Sequence, residues 1–307
     1  MNSKYPGLLL ATALVFLASA RPAAAEDDCK QPSGECVPVG GWNFSIAIGA
    51  GIRTDPVVHE SAIPLVVIPQ ISYYGEHFFL DNLDVGYSFI DNDRSTLSLI
   101  ATPGYDRVFF YRSDLQNIFV TGFTNFTSST SSNTSTGTTG ANTNPSSGSG
   151  NSGSTPNQPQ TTTSTKAFPE RPRSVTYLAG PEWTFKFQGL TGQLDVLHEI
   201  TGHNHGDEVR AALGIPLSKV GGNWVADIGL TWKSSAIVNY YYGAPGVYDA
   251  GAALDPFVKL GYSLPLKGKW KITGFVEAER LGNAIADSPI INQRIVTTAF
   301  VGTAYSF

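Results

Sequence analysis

From Trp42 onward the chain alternates between apolar and polar positions. Trp42, Phe44, Ile46, Ile48, Ala50 and Ile52 are interleaved with Asn43, Ser45, Ala47, Gly49 and Gly51. A period of two puts one apolar face and one small or polar face on an extended strand. The pattern recurs: Leu83, Val85, Tyr87 and Phe89 oppose Asp84, Gly86 and Ser88, and Trp183, Phe185 and Phe187 oppose Thr184 and Lys186. Trp224, Ala226, Ile228, Leu230 and Trp232 oppose Asp227, Thr231 and Lys233. Val258, Leu260, Tyr262 and Leu264 oppose Lys259 and Ser263, and Trp270, Ile272, Val276 and Ala278 oppose Lys271, Thr273, Glu277 and Glu279. Charges keep to one parity.

A soluble β-sandwich also alternates, so further features decide between the two classes. The apolar faces persist long enough to cross a bilayer when tilted, which takes about 9–11 residues. Short turns such as Asp91-Asn92-Asp93-Arg94, Gln188-Gly189 and Lys267-Gly268-Lys269 alternate with much longer connections, the asymmetry of outer-membrane barrels. Trp42, Tyr73, Trp183, Trp224, Tyr262, Trp270 and Tyr305 sit beside the short turns or the termini, where they form an aromatic girdle at one interface. In hydrocarbon an unpaired strand edge leaves backbone groups unsatisfied, so the sheet must close on itself. The expectation is an all-β fold, a closed antiparallel transmembrane β-barrel. Strands are predicted at 42–52, 63–74, 96–111, 174–187, 190–200, 208–217, 224–234, 254–265, 270–281 and 294–307. Segment 77–90 read as a hairpin bent at Asp81-Asn82 brings the total to about twelve; ten is the fallback.

The two ends fix the compartment. Lys4, the apolar run Leu8 to Ala18, and Ala23-Ala24-Ala25 before Glu26 form a secretory signal over residues 1–25. The run is too short for a membrane-spanning helix. Removing the signal takes Lys4 and Arg21, so the formal net charge moves from -5 to -7, a balance unsuited to nucleic acid. Residues 26–41 form an N-terminal periplasmic segment in which Cys29 and Cys36 suit a small disulfide loop; a pair of free thiols is the alternative. At the other end Gly302, Tyr305 and the terminal Phe307 resemble the C-terminal signal read by the barrel-assembly machinery, although Phe300 departs from the polar residue usual at its start. Between 112 and 173 the composition collapses to Ser, Thr, Asn and Gly, which cannot bury a core and predicts a long disordered outer loop. The barrel proper is 42–307, interrupted by that loop.

On lumen parity, Lys186, Arg210, Lys233, Lys259 and Lys271 stand against Asp195, Glu199, Asp227, Glu277 and Glu279. The signs balance. Such a lining suits a weakly selective pore or an interior closed by ion pairs, and a width of about twelve strands does not separate the two. His203 and His205, with Asp207 or Glu208, are the candidate metal ligands; alternate residues in a turn suit a polar outer loop better, so no metal or other cofactor is expected. Asn239 to Gly251, rich in tyrosine, either folds over the mouth and binds a ligand or extends the upper girdle. No Gly-x-Ser-x-Gly elbow appears, and His59 with Ser61 is followed by Ala62, so no catalytic centre is expected.

Four segments carry a family resemblance: Ile63-Pro64-Leu65-Val66 to Ile71-Ser72-Tyr73-Tyr74, His77-Phe78-Phe79-Leu80 to Val85-Gly86-Tyr87, Tyr248-Asp249-Ala250-Gly251-Ala252, and Leu281-Gly282-Asn283-Ala284-Ile285-Ala286-Asp287-Ser288-Pro289-Ile290. In this order they resemble the MipA/OmpV family of outer-membrane proteins. The resemblance spans the mature chain apart from the low-complexity insertion, which is atypical. It implies the outer membrane of a Gram-negative bacterium, lipid and the barrel-assembly machinery as partners, and a scaffold joining a murein hydrolase to a murein synthase; porin-like or adhesive roles are the alternatives. No partner-contact motif is available to match residue by residue.

Overall fold

A computed structural model describes residues 40–111, 114–119, 173–218 and 221–307. The expected signal, Cys29, Cys36 and residues 120–172 lie outside the described residues. Twelve antiparallel strands follow one another around a closed barrel, the last meeting the first. They are β1 (Gly41–Arg53), β2 (Ile63–Tyr74), β3 (Phe78–Asp81), β4 (Asp84–Asn92), β5 (Ser95–Pro103), β6 (Tyr177–Phe187), β7 (Leu190–Glu199), β8 (Asp207–Ser218), β9 (Asn223–Lys233), β10 (Ala253–Pro265), β11 (Trp270–Arg280) and β12 (Ile295–Ser306). The expected count of twelve holds, with β3 and β4 as the hairpin bent at Asp81-Asn82. The strand expected over 96–111 stops at Pro103. Proline cannot donate to a ladder, the Gly104 N–H turns instead to the Thr176 carbonyl at 2.8 Å, and Tyr105–Phe109 winds into a 3-10 helix. Among the described residues no helix is long and apolar enough to cross a membrane.

Outward-facing side chains are apolar and unburied: Ile48, Val67, Phe89, Val196, Val258 and Val301 each expose about half their surface. In water such a band would be an aggregation surface; in hydrocarbon it is the side that meets lipid. Below it the expected girdle is built from cross-strand partners. Trp42 faces Tyr73, Trp224 faces Tyr262 and Trp270 faces Tyr305, with ring centroids 5.1, 4.5 and 4.9 Å apart. Directly opposed aromatic residues are the pairs that stabilise a sheet most.

The seam between β1 and β12 is narrow. Gly49 faces Gly302, and a Cβ on either would lie within 2.5 Å of a carbonyl oxygen of the other strand. Glycine is therefore a packing requirement at the seam. Gly302→Ala is expected to cost about 1–3 kcal/mol through overpacking, read as a fall in the urea midpoint of the barrel refolded in detergent. Gly261→Ala on β10, where the added carbon meets only the Val225 carbonyl at 3.8 Å, should leave the midpoint in place.

Short turns lie at the girdle end, and the long connections lie at the other, outer end. Three of these fold back into the mouth. They carry α1 (Leu115–Phe119), α2 (Ser235–Tyr242) and α3 (Asn283–Ala286). Val108, Phe109, Ile237, Val238, Tyr241, Tyr242, Leu281 and Ile285 form one buried cluster with Ile100, Leu178, Leu197 and Val296 of the barrel wall. The outer end of the lumen thus has a hydrophobic core of its own.

Candidate functional site

The candidate site is the barrel interior beneath and around this cluster. Register aligns its charges in rows. Asp227 of β9, Lys259 of β10, Glu277 of β11, Thr298 of β12 and Arg53 of β1 are successive cross-strand partners. A second row runs Ser88, Ser98, Glu182, Asp195, Arg210, Thr231 and Asp255 from β4 to β10. Alternation explains both rows: the apolar parity goes to lipid, and the remaining parity has only the interior to occupy.

Lys233 ties the rows to the mouth. Its Nζ lies 2.7 Å from Asp106 Oδ1 on the 3-10 helix and 3.1 Å from Asp255 Oδ2 on β10, and all three residues are buried. The Tyr242 hydroxyl of α2 donates to the same Asp106 oxygen at 2.7 Å. Burial, and then the adjacent Asp106 carboxylate, hold the Tyr242 phenol well above its ordinary value, so the group stays protonated and remains a donor. Arg53, fully buried, donates to Asn117 of α1 at 2.8 Å and lies under the Tyr105 ring. Arg210 pairs with Glu208 at 2.5 Å. One wall cation thus holds the 3-10 helix and another holds α1, with Tyr242 adding α2 to the first of these anchors.

The remaining connections are fastened by polar contacts. Ser288 Oγ donates to the Tyr242 carbonyl at 2.6 Å, the Tyr248 hydroxyl to Ala284 at 2.9 Å, and the Gly282 N–H to Asp255 at 2.7 Å. Asn239 exchanges two side-chain bonds with the Ala250 backbone, at 2.5 and 2.6 Å. The tyrosine-rich segment therefore folds into the mouth, its first residues completing α2 with Tyr241 and Tyr242 buried, and does not form an upper girdle.

The lumen charges read from the sequence fall into three groups. Asp195, Arg210, Asp227 and Lys259 are buried in the rows, Lys233 is buried between them and the mouth, and Glu277 and Glu279 are half-buried on β11. Lys186 is exposed near the girdle end of β6, and Lys271 is half-buried near the girdle end of β11. Glu199, at the outer end of β7, serves its own turn: its carboxylate accepts the backbone N–H groups of Thr201, His203, Asn204 and His205. The histidines are thereby fixed through their backbones, and no group of three or more metal-ligating side chains occurs among the described residues.

The equality of signs does not survive. Among the described residues Asp106, Asp255, Glu208 and Glu182 join the interior acids, and Arg53 joins the bases. Glu182, Glu208 and Asp255 share parity with Lys186, Arg210 and Lys259, and Asp106 shares that of Ser98 although it stands on the 3-10 helix rather than on β5.

A sequence model of the family described as MltA-interacting protein MipA matches residues 46–307. The chain belongs to the MipA family. The match begins inside β1 and runs to the terminal Phe307, so the MipA region contains all the rest of the barrel and every mouth helix. No curated protein matches the chain in sequence. Among solved structures it is similar to a porin refined at 1.8 Å resolution, with 7% identity, TM-score 0.34, and coverage of 87% of this chain and 99% of that one. It is also similar to an anion-selective porin from Comamonas acidovorans, with 10% identity, TM-score 0.32, and coverage of 87% and 99%. Membership of the family, the closed barrel and its apolar exterior make this an outer-membrane β-barrel.

Proposed function

We propose that this MipA-family barrel is a closed structural element of a Gram-negative outer membrane that displays its periplasmic rim to murein-processing enzymes, as the family's description suggests. It reaches the membrane by a cleaved signal and the barrel-assembly machinery, acts without cofactor, and carries no catalytic centre. The observation that favours a scaffold over a pore is the buried mouth cluster with its Lys233, Asp106 and Tyr242 anchor. A solute moving along the axis would have to displace that core.

Two measurements test the proposal. In a planar bilayer the refolded mature protein should give no stable conductance steps, and immobilised barrel should retain a purified periplasmic lytic transglycosylase. Steady single-channel steps from the unaltered protein would overturn the closed reading in favour of a porin. Failure to retain the enzyme would remove the scaffold role while leaving the closed barrel in place.

A further inference from the structure

Among the described residues, the barrel wall has a stretch where a strand lacks a neighbour on one side. β3 has four residues, and it meets β2 only at Ser72, Tyr73 and Tyr74. From Ile63 to Gln70, among the described residues, β2 pairs with β1 alone. Asn82, buried and in the left-handed region at φ 54°, closes off the pairing: its N–H donates to the Ile71 carbonyl at 2.7 Å and its Oδ1 accepts from the Ile71 N–H at 3.0 Å. Two residues further along the same backbone phase stands Pro69, which has no N–H to leave unpaired. That substitution suits a free edge, and a free edge at bilayer depth is what a closed barrel otherwise avoids.

A helix lies against this stretch of β2. α1 packs against β2, with Gln116 and Asn117 buried and Ile118 exposed. Its hold is polar: Asn117 accepts from Arg53 and donates to the Val108 and Tyr111 carbonyls at 3.1 and 3.2 Å. Behind it, Gln116 Oε1 and Arg53 Nη2 are buried without a hydrogen-bond partner, an acceptor and a donor left open on the inner face. Apolar surface lies on both faces of this stretch of wall. Outside are Val66, Val67 and Ile118; inside are Phe79, stacked on Tyr74, and Tyr105, both packed on the mouth cluster.

We propose that this gap is a lateral port, sealed by α1, through which one acyl chain of a membrane lipid enters the barrel interior. The occupant follows from the position: β2 between Ile63 and Gln70 lies on the outer half of a wall whose outward residues are apolar, so hydrocarbon is the medium at the opening. The chain lies against Phe79 and Tyr105, and polar atoms of the same lipid reach the open Gln116 and Arg53 groups. This assignment is independent of the scaffold role and compatible with a mouth closed along the axis.

The test uses the unaltered mature protein refolded into phosphatidylcholine vesicles, in which a fraction of the lipid carries a diazirine near the end of one acyl chain. After illumination, adducts are mapped by peptide mass spectrometry. Adducts on the inward-facing Gln70, Tyr74, Phe79, Gln116 or Asn117, beside those on Val66, Val67 and Ile118, are expected. Adducts confined to outward-facing residues would overturn the port. Asn117→Ala, which releases α1 from Arg53, should raise the inward adducts several-fold relative to the outward ones; no change in that ratio would show that α1 does not seal the opening.

Discussion

Lys233→Met is expected to open the barrel without dissolving it. Lys233 is buried between Asp106 and Asp255, and the methionine would leave two carboxylates in the interior without their cation. Removing one partner of a buried pair costs about 3–5 kcal/mol, because the charge left behind has lost its water and gains nothing in return. Where that cost falls follows from connectivity. Asp255 is on β10, locked on both sides by ladders with β9 and β11, whereas Asp106 is on a single-turn element anchored to the wall through Lys233 and to α2 through Tyr242. The 3-10 helix should therefore leave, taking Val108 and Phe109 out of the mouth cluster. Conductance steps should appear in a planar bilayer, and amide exchange over Tyr105 to Phe109 should accelerate while exchange in β8 to β11 holds. Combining Lys233→Met with Asp106→Asn and Asp255→Asn removes the uncompensated charges and should restore most of the closed state. A single variant that stays closed with unchanged exchange would show that the ion triad does not latch the mouth.

How much of this was legible depends on which medium each side chain meets. Residues that face lipid follow the period-two rule without exception in β1, where even positions from Trp42 to Ile52 point outward, and that regularity carried the architecture, the strand number and the girdle. Local punctuation decides one place: Pro103-Gly104 ends β5, and the chain winds from there into the 3-10 helix that carries Asp106, the residue on which the mouth is fastened. The mouth itself has no period to read. α2, α3 and the 3-10 helix are short, and their burial is decided by contacts across long separations, such as Tyr242 with Asp106 and Arg53 with Asn117.

The segments that carried the family resemblance nevertheless point to the same places. Tyr248 to Ala252 and Leu281 to Ile290 supply the Asn239–Ala250, Tyr248–Ala284 and Ser288–Tyr242 contacts that pin the outer connections inside the barrel. Ile63 to Tyr74 and His77 to Tyr87 supply the free edge of β2 and the short hairpin beside it. What looked like four strand and loop fragments are the two regions in which this barrel departs from a plain cylinder, its mouth and its incomplete wall.

Deleting Phe307 is expected to separate assembly from stability. In the finished barrel the residue does little: its N–H donates to the Phe44 carbonyl at 2.9 Å, its ring meets Tyr305 edge-on at 5.1 Å, and the side chain is 65% exposed. One terminal hydrogen bond and one exposed aromatic contact amount to about 1–2 kcal/mol, out of a seam that continues from Ser306 to Thr298 along β1. Protein lacking Phe307 and refolded in detergent should accordingly show heat-modifiable migration and a urea midpoint close to that of the full chain. If the terminal aromatic is instead a recognition element, its loss acts before the seam exists, and the folded fraction in the outer membrane of expressing cells should fall several-fold. Phe307→Tyr keeps an aromatic terminus and should restore that fraction. Equal yields in cells would remove the recognition role of Gly302, Tyr305 and Phe307, while a large loss of midpoint in the refolded protein would make Phe307 a structural closure of the β1 and β12 seam.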